Sequence, residues 1–343
     1  MRIVPERLHN QKLSSPGCKT AVDVVRWLGA VQAQDFPAAK WALGLRMRSA
    51  TDRAIEEAYN QGQILRTHVM RPTWHFVAPE DIRWMLELTA PRVNARAGPY
   101  FRKYELDAAV FKRTNKILTK ALQGGKHLTR AELRAALNKS GVAADDLIRL
   151  THIMLRAELD GIVCSGPRRD KQFTYALIDE RVAPAQSLTR DEALAKLTER
   201  YFTSHGPATL ADFVWWSGLT ARDAKRGVEI SARNLQSETT DDKTYLLTRA
   251  KPSSRSPLYP SHLLPAYDEY SVAYKHRDAV VSLGPTVIVD GKAAGTWRST
   301  TDKRLVTITV TPSRALKKAE TLAIKEAAER YAAFIGLPAH VHI

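Results

Sequence analysis

The sequence predicts an α+β fold, mainly helical, in which three tandem winged helix-turn-helix units precede a C-terminal β-rich domain. Two observations support this prediction. A helix, helix, hairpin pattern occurs three times, and alternating strand patterns replace it towards the C-terminus. The chain has 343 residues, of which 44% are hydrophobic, enough for several packed cores. We expect the four segments at residues 1–95, 96–185, 186–252 and 258–343.

The first unit is indicated by two helical patterns and a hairpin. Apolar residues recur at helical spacing in residues 20–35 ("TAVDVVRWLGAVQAQD") and 51–62 ("TDRAIEEAYNQG"). Residues 64–78 ("ILRTHVMRPTWHFVA") alternate as a two-stranded hairpin would. Asp35 is expected to cap the next helix, with Pro37 in its first turn.

The second unit has the clearest signals. Thr129 is followed three residues later by Glu132, which predicts a capping box and a helix over residues 129–141. A longer amphipathic pattern covers residues 144–161, and residues 162–178 contain two apolar runs around a Gly-Pro-basic turn. This order predicts a winged helix, with the wing tip carrying Arg168, Arg169 and Lys171.

The third unit repeats the order with different residues. Helical patterns occupy residues 189–206, 207–219 and 220–234, and two short strand-like runs follow at 235–240 and 245–249. After a linker at residues 251–257, the pattern changes. Residues 281–299 and 304–312 alternate as strands around a "VDGK" turn, and a long helix is expected from about Ser313 to Phe334.

Charge limits the possible partners. The formal net charge is +16, and residues 92–140 alone hold twelve basic against three acidic residues. Such a segment favours a polyanion such as nucleic acid, although a solvated basic face is the alternative interpretation. We find no signal peptide and no apolar run of membrane-spanning length, so we expect a cytoplasmic protein, associated with the nucleoid through DNA. Two unpaired cysteines, Cys18 and Cys164, indicate neither a disulfide framework nor a zinc site.

Candidate DNA-binding residues are basic side chains on predicted helices and hairpins. The full set comprises Arg66, Arg71, Arg96, Arg102, Lys103, Lys112, Arg113, Lys116, Arg168, Arg169 and Lys171. His68 and His75 lie in the same hairpin as Arg66 and Arg71, where an ordinary solvated strand face is an equal alternative. No phosphate-binding loop, zinc-protease or deaminase signature is present, and His340 with His342 lacks a third ligand nearby, so no metal or cofactor is expected.

Two neighbouring tryptophans are further candidates for a functional role. Trp215 and Trp216 fall on a predicted helix, and we interpret both as core residues rather than as a stacking surface for a base.

Gln32 and Gln34 follow an apolar helix pattern. Side chains at i and i+2 share a face only in extended chain, so a joint role requires the helix to end near Val31. The alternative is that both amides bind free carbonyls at the helix end.

Five stretches resemble one family. They are "VQAQDFPAAKWALGLR", "LRTHVMRPTWHFVAPEDIRWM", "SHGPATLADFVWWSGL", "LLPAYDEYSVAYKHR" and "DGKAAGTWR". Together they are similar to the bacterial winged-helix DNA glycosylases of the AlkZ and YcaQ type, which unhook interstrand crosslinks and excise alkylated purines. The resemblance implies three winged helices and a C-terminal β-barrel around duplex DNA. It also implies a Gln, aliphatic, Gln signature in the AlkZ-like branch, which Gln32, Ala33 and Gln34 match.

The resemblance therefore implies a monofunctional glycosylase without cofactors, acting as a monomer on double-stranded DNA with alkylated or crosslinked purines. In this interpretation Gln32 and Gln34 are the catalytic residues that orient the hydrolytic water. Asp35, His75, Tyr267 and Asp268 would border the active site, with a structural corner as the alternative for the last two. A non-catalytic winged-helix regulator or DNA protector is the competing function, and it predicts sequence-selective binding.

Overall fold

The computed structural model describes residues 3–248, 260–276 and 283–343, and within them the predicted α+β, mainly helical fold is confirmed. The helices are α1 Ile3–Asn10, α2 Ala21–Leu28, α3 Phe36–Gly44, α4 Asp52–Asn60, α5 Ile82–Lys103, α6 Ala108–Leu122, α7 Arg130–Lys139, α8 Leu147–Leu159, α9 Ile178–Arg181, α10 Arg190–Ser204, α11 Leu210–Ser217, α12 Ala221–Ile230, α13 Glu269–Val272 and α14 Lys318–Ile335. The strands are β1 Val31–Gln32, β2 Leu65–His68, β3 Trp74–Val77, β4 Leu128–Thr129, β5 Val163–Ser165, β6 Thr174–Leu177, β7 Leu235–Thr240, β8 Lys243–Thr248, β9 Ser261–Leu264, β10 Thr286–Val289, β11 Lys292–Thr301, β12 Val306–Pro312 and β13 Ala339–His342. The predicted linker at residues 251–257 lies outside the described residues.

The described chain forms two compact units, each built from separate stretches of sequence. The first unit contains the described residues up to Glu57, then Leu194–Trp216, and the described residues from Thr220 to Ile343. The second unit contains Ala58–Ala193 and Ser217–Leu219. No described helix is long and apolar enough to cross a bilayer.

The second unit contains the order of two helices and a hairpin that the sequence predicts for residues 96–185. The capping box is present: Glu132 N donates to Thr129 Oγ1 at 3.3 Å, and Thr129 N donates to a Glu132 carboxylate oxygen at 2.6 Å. Helices α7 and α8 follow, and then the antiparallel hairpin β5–β6, which β4 extends to a three-stranded sheet in the order β4-β6-β5. The predicted count of three winged helices stays a prediction.

The C-terminal part of the first unit is a five-stranded sheet in the order β13-β12-β11-β10-β9. Its neighbours are antiparallel except β12 and β13, which run parallel because α14 connects them. Asp290 and Gly291 join β10 to β11 with φ values of 49° and 76°, the left-handed backbone of a type I′ hairpin turn. Among the described residues β9 and β13 remain edge strands, so the barrel-like closure is not confirmed.

The last helix begins later than predicted. Its first residue is Lys318 rather than Ser313, because β12 continues to Pro312 and the cap forms only at Lys317, whose N–H donates to Glu320 at 2.8 Å. Gly336, with φ of 82°, ends the helix as predicted.

Helix α3 is held against this sheet by tryptophan contacts. Trp41 donates its indole N–H to Leu263 O of β9 at 2.7 Å, and its ring lies 5.2 Å from Tyr331 and 5.0 Å from Phe334 of α14. Gly44 is required here, because a Cβ at this position would come within 2.9 Å of the Phe334 ring. The sheet and α14 therefore fix the helix that follows Gln34.

Candidate active site and DNA-binding surfaces

Gln32 and Gln34 lie in a short non-helical segment between two capped helices. Helix α2 ends at Leu28, and Gly29 follows with φ of 85°. The chain is extended at Val31 and Gln32 and bends at Gln34. The predicted end of the helix before Val31 is confirmed, so the condition for a joint role of the two amides is met.

Asp35 begins the next helix, as predicted. Its Oδ1 accepts the Ala38 N–H at 3.0 Å, and Pro37 lies in the first turn. Asp35 is exposed, and this cap gives it a structural role beside the two glutamines. Its place at the border of the active site stays a prediction.

The two glutamines differ in their environment. Gln32 is 8% exposed, whereas Gln34 is exposed to solvent. Ala33 between them is fully buried. One amide is therefore anchored within the protein while the other faces outwards.

Glu269 is the principal polar neighbour of this segment. Its Oε1 accepts the backbone N–H of Gln32 at 2.9 Å, and its Oε2 accepts the indole N–H of Trp216 at 2.8 Å. His205 Nε2 lies 3.3 Å from the same Oε2. The side chains of Glu269 and His205 have no solvent exposure, and Trp216 is equally buried. A buried carboxylate thus joins three distant parts of the sequence.

His205 is held in a specific orientation. Its Nδ1 lies 2.8 Å from Ser204 Oγ, and its ring stacks on Tyr201 with centroids 5.0 Å apart. Burial lowers the pKa of His205, and the hydrogen bond with Glu269 acts in the opposite direction. The net lowering of the pKa favours a neutral imidazole near neutral pH.

Asp268 and Tyr267 lie in a structural corner, and their place at the border of the active site stays a prediction. Asp268 is fully buried and makes two 2.8 Å contacts with the Arg46 guanidinium, which is fully buried too. Asp268 Oδ1 also accepts the Tyr270 N–H at 2.9 Å and so caps α13. Tyr267 has a positive φ of 59° at the preceding turn. This corner fixes the position of Glu269, the next residue in the chain.

Glu269 is not among the candidate site residues that the sequence predicts. The Gln32 contact joins residues 237 positions apart, and no local pattern encodes such a pairing. His205 was not singled out at all.

The hairpin β2–β3 in the second unit is more buried than a solvated strand face. Arg66 is 8% exposed, and its guanidinium lies 4.3 Å from the Trp74 ring and 4.7 Å from the Phe173 ring. His75 is fully buried, with Nδ1 2.8 Å from Thr73 O and Nε2 3.4 Å from Arg71. The solvated alternative for this face is wrong. Burial favours a structural role for Arg66, and the DNA-binding and border roles stay predictions.

Glu158 of α8 anchors the same hairpin. One carboxylate oxygen accepts the His68 N–H at 2.7 Å and lies 2.6 Å from His68 Nδ1. Trp74 Nε1 is 3.5 Å from the other oxygen. Glu158 is 1% exposed, so it acts as a buried tie between α8 and the strand.

The predicted basic helices are present and present their charges to solvent. Helices α5 and α6 bury apolar residues such as Val93, Phe101, Phe111 and Leu118. The exposed face carries Arg96, Arg102, Lys103, Lys112, Arg113 and Lys116. Helices α5 and α6 therefore both expose basic side chains, although Arg113 also donates to Ser140 O.

The wing residues differ from one another. Arg169 is half exposed and pairs with Glu132 Oε1 at 2.8 Å while donating to His127 O at 2.7 Å. Arg168 lies over the Phe173 ring at 5.0 Å, and Lys171 is exposed. Arg168 and Arg169 therefore contact other parts of the fold, whereas Lys171 is exposed to solvent.

The two adjacent tryptophans do not share an environment. Trp216 is a core residue as predicted, but Trp215 is 43% exposed, which corrects the expectation for it. Successive helical residues point about 100° apart, so both cannot face the same core. Within the described residues no group of three or more His, Cys, Asp or Glu side chains is arranged to hold a metal.

Comparisons with known proteins agree over nearly the whole chain. A family model described as "DNA glycosylase AlkZ-like" matches residues 25–334. A relative from Streptomyces sahachiroi, named "Interstrand DNA cross-link repair glycosylase", is 24% identical over 365 residues, covering 96% of this chain and 95% of the relative. The solved structure of "Streptomyces sahachiroi DNA glycosylase AlkZ" has the same fold, with a TM-score of 0.78 over 98% of each chain at 20% identity.

The class of protein is therefore a DNA-repair enzyme that hydrolyses N-glycosyl bonds of DNA bases. Since the family model matches most of its length, the chain belongs to the AlkZ-like DNA glycosylase family. The expectation of a monofunctional DNA glycosylase is confirmed, and the non-catalytic alternative is not favoured.

Proposed function

We propose that the protein hydrolyses the N-glycosidic bond of N7-alkylated purines in duplex DNA, with Gln32 and Gln34 positioning the water. The observation that carries the proposal is the extended segment between α2 and α3, where one glutamine is buried and the other faces solvent. Membership of the AlkZ-like family places this motif in a DNA glycosylase.

The chemistry suits neutral amides. An N7-alkylpurine is cationic, so the bond between C1′ and N9 breaks to release a neutral base without protonation by the enzyme. A transition state with oxocarbenium character then requires a placed water and oriented dipoles. Amide oxygens accept hydrogen bonds from that water, which adds to C1′ and gives its proton to solvent. The products are an abasic site and the free alkylpurine.

The difference in burial suggests different tasks for the two amides. Glu269 holds the backbone N–H of Gln32, so the Gln32 side chain is attached to a fixed backbone position. Gln34 is exposed and is accessible to a nucleotide and its water. We assign water positioning to both, with Gln32 as the anchored member.

DNA binding is assigned to the exposed basic surface of α5 and α6, the wing with Lys171, and the remaining candidates around β2–β3. Exposed Arg and Lys side chains on one surface neutralise phosphates and release counterions. We further propose three winged helices, a monomeric state and action on interstrand crosslinks. The last rests on the printed name of the Streptomyces relative.

The proposal is tested with a duplex carrying one N7-methylguanine, beside the same duplex with guanine. Alkali cleavage after incubation reports abasic sites, and chromatography of the supernatant identifies the released base. We expect 7-methylguanine release from the damaged duplex alone. A crosslinked duplex on a denaturing gel tests unhooking. Failure to act on either lesion, with DNA binding retained, would exclude the proposed substrates.

A further inference from the structure

We propose that Glu269 is a positioning residue for the reaction, because its carboxylate fixes the Gln32 peptide and so sets the direction of the Gln32 side chain. The inference rests on the proposed function and names a further residue of the same site. Glu269 forms no part of the Gln, aliphatic, Gln motif and lies 237 positions away from Gln32.

The backbone N–H of Gln32 takes its acceptor from Glu269. The segment after Leu28 has left the helix, so the Gln32 N–H lacks an intrahelical acceptor. A buried backbone N–H requires an acceptor, and Glu269 Oε1 supplies one at 2.9 Å. Hydrogen bonds to a carboxylate are shorter and stronger than those between neutral groups. The peptide between Val31 and Gln32 is therefore held at one point by a charged acceptor.

Glu269 is itself rigid. Trp216 Nε1 and His205 Nε2 both approach Oε2, at 2.8 and 3.3 Å. The preceding residue, Asp268, is tied to Arg46 by two 2.8 Å contacts. The side chain of Glu269 and the backbone next to it are therefore both fixed. For this reason the position of the carboxylate determines the position of the Gln32 N–H, and not the reverse.

A positioning role for Glu269 can be distinguished from ordinary structural support by comparison with another buried carboxylate. Asp212 offers a matched comparison within the same unit. It is 3% exposed, and its two oxygens accept the Thr209 N–H at 2.9 Å and the Lys275 N–H at 2.8 Å. Both carboxylates thus bind a backbone N–H far away in sequence, but only Glu269 binds the motif.

The experiment compares Glu269→Gln with Asp212→Asn under single-turnover conditions with saturating N7-methylguanine duplex. For Glu269→Gln we expect excision to slow by about 10²-fold, the size of effect produced by misplacing a catalytic group by about 1 Å. DNA affinity should stay within about twofold of wild type, since a change confined to the rate reports the transition state. Asp212→Asn should lower thermal stability without that loss of rate.

Hydrogen–deuterium exchange of the DNA-free proteins provides a readout independent of activity. Loss of the Glu269 anchor should accelerate exchange of the peptide covering residues 31–34, whereas Asp212→Asn should leave it at the wild-type rate. If Glu269→Gln does not fold, Trp216→Phe serves instead. It removes one donor to the carboxylate, and we expect a smaller change in the same two measurements.

Two results would overturn the inference. One is an excision rate for Glu269→Gln no lower than that of Asp212→Asn, and the other is unchanged exchange over residues 31–34. Failure of the proposed function is a separate result, seen as absence of excision by the wild-type protein. The exchange measurement decides the role of Glu269 in that case too.

Discussion

Two buried glutamates use the same kinds of donor in different parts of the molecule. Glu269 in the first unit and Glu158 in the second each accept a backbone N–H from a short strand, and each lies beside an imidazole and an indole N–H. The donors to Glu158 all come from one hairpin, through His68 and Trp74. The donors to Glu269 come from two separate stretches of the chain, one with Gln32 and the other with His205 and Trp216.

This difference indicates what each carboxylate controls. Removing Glu158 should loosen the hairpin β2–β3. The effect should be local, because all the donors to Glu158 belong to that hairpin. Removing Glu269 should change the mutual geometry of distant segments, including the motif that we propose carries the chemistry. A buried carboxylate with the same kinds of donor therefore supports a structural hairpin in one unit and a candidate active site in the other.

The largest expected effect comes from the ion pair next to Glu269. Asp268→Asn leaves the Arg46 charge buried without its partner, so the free energy of unfolding should fall by about 3–5 kcal/mol. Guanidinium denaturation measures the loss. Arg314→Ala is the control, because it breaks the exposed pair with Glu320 and should change stability little. A loss for Asp268→Asn as small as that of the control would contradict a structural role for this corner.

A smaller effect is expected at the second glutamate. Glu158→Gln retains an acceptor oxygen but presents an amide to donors, so stability should fall by about 1–3 kcal/mol. Exchange of the hairpin residues 65–77 should accelerate, because the carboxylate that holds the His68 N–H is lost. Hydrogen–deuterium exchange with mass spectrometry measures it. Unchanged exchange over residues 65–77 would contradict a supporting role for Glu158.

The basic surface should affect DNA binding without affecting the chemical step. Replacing Arg96, Arg102, Lys112 and Lys116 with alanine should reduce the slope of log affinity against log salt by up to about 3.6, at about 0.9 per lost phosphate contact. Fluorescence anisotropy at several salt concentrations gives the slope. The single-turnover rate at saturating DNA should not change. An unaltered slope would mean that this face is merely solvated.

The smallest effect concerns pH. Burial lowers the pKa of His205 below its usual value of about 6.5. As the pH falls, His205 is therefore protonated at a higher pH in the unfolded chain than in the folded protein. Stability from the neutral imidazole is therefore full above about pH 6.5 and is lost as the pH falls below it. Thermal unfolding of wild type and His205→Gln across this range should diverge on acidification, with wild type losing more. Parallel curves would exclude a titrating role for His205.

Most of the fold could be predicted because its signals are local. Asp35 with Pro37, and Thr129 with Glu132, mark helix starts within a few residues, and the Asp290–Gly291 turn sets a hairpin. The start of α14 could not be placed, because residues 313–317 contain good helix formers and no breaker. The Arg314–Glu320 pair, which spans that start, becomes evident only in three dimensions.

The candidate site was only half predictable. Gln32 and Gln34 stand two residues apart and can be recognised from sequence, and the end of α2 was a condition that the structure met. Glu269 and His205 act through contacts between segments, and neither stands in a pattern that distinguishes it from a surface residue. The sequence predicts Asp268 at the site, and not Glu269, because a capping carboxylate and a site carboxylate cannot be distinguished until their burial and partners are known.

The most direct test of the account is single-turnover excision of N7-methylguanine by wild type and by the Gln32→Ala/Gln34→Ala double variant, with duplex affinity measured in parallel. The account predicts that the double variant loses at least about 10³-fold in rate, as for the loss of placed polar groups in other active sites, and keeps its affinity. Excision by the double variant at a rate near that of wild type would contradict the assignment of the chemistry to these two glutamines.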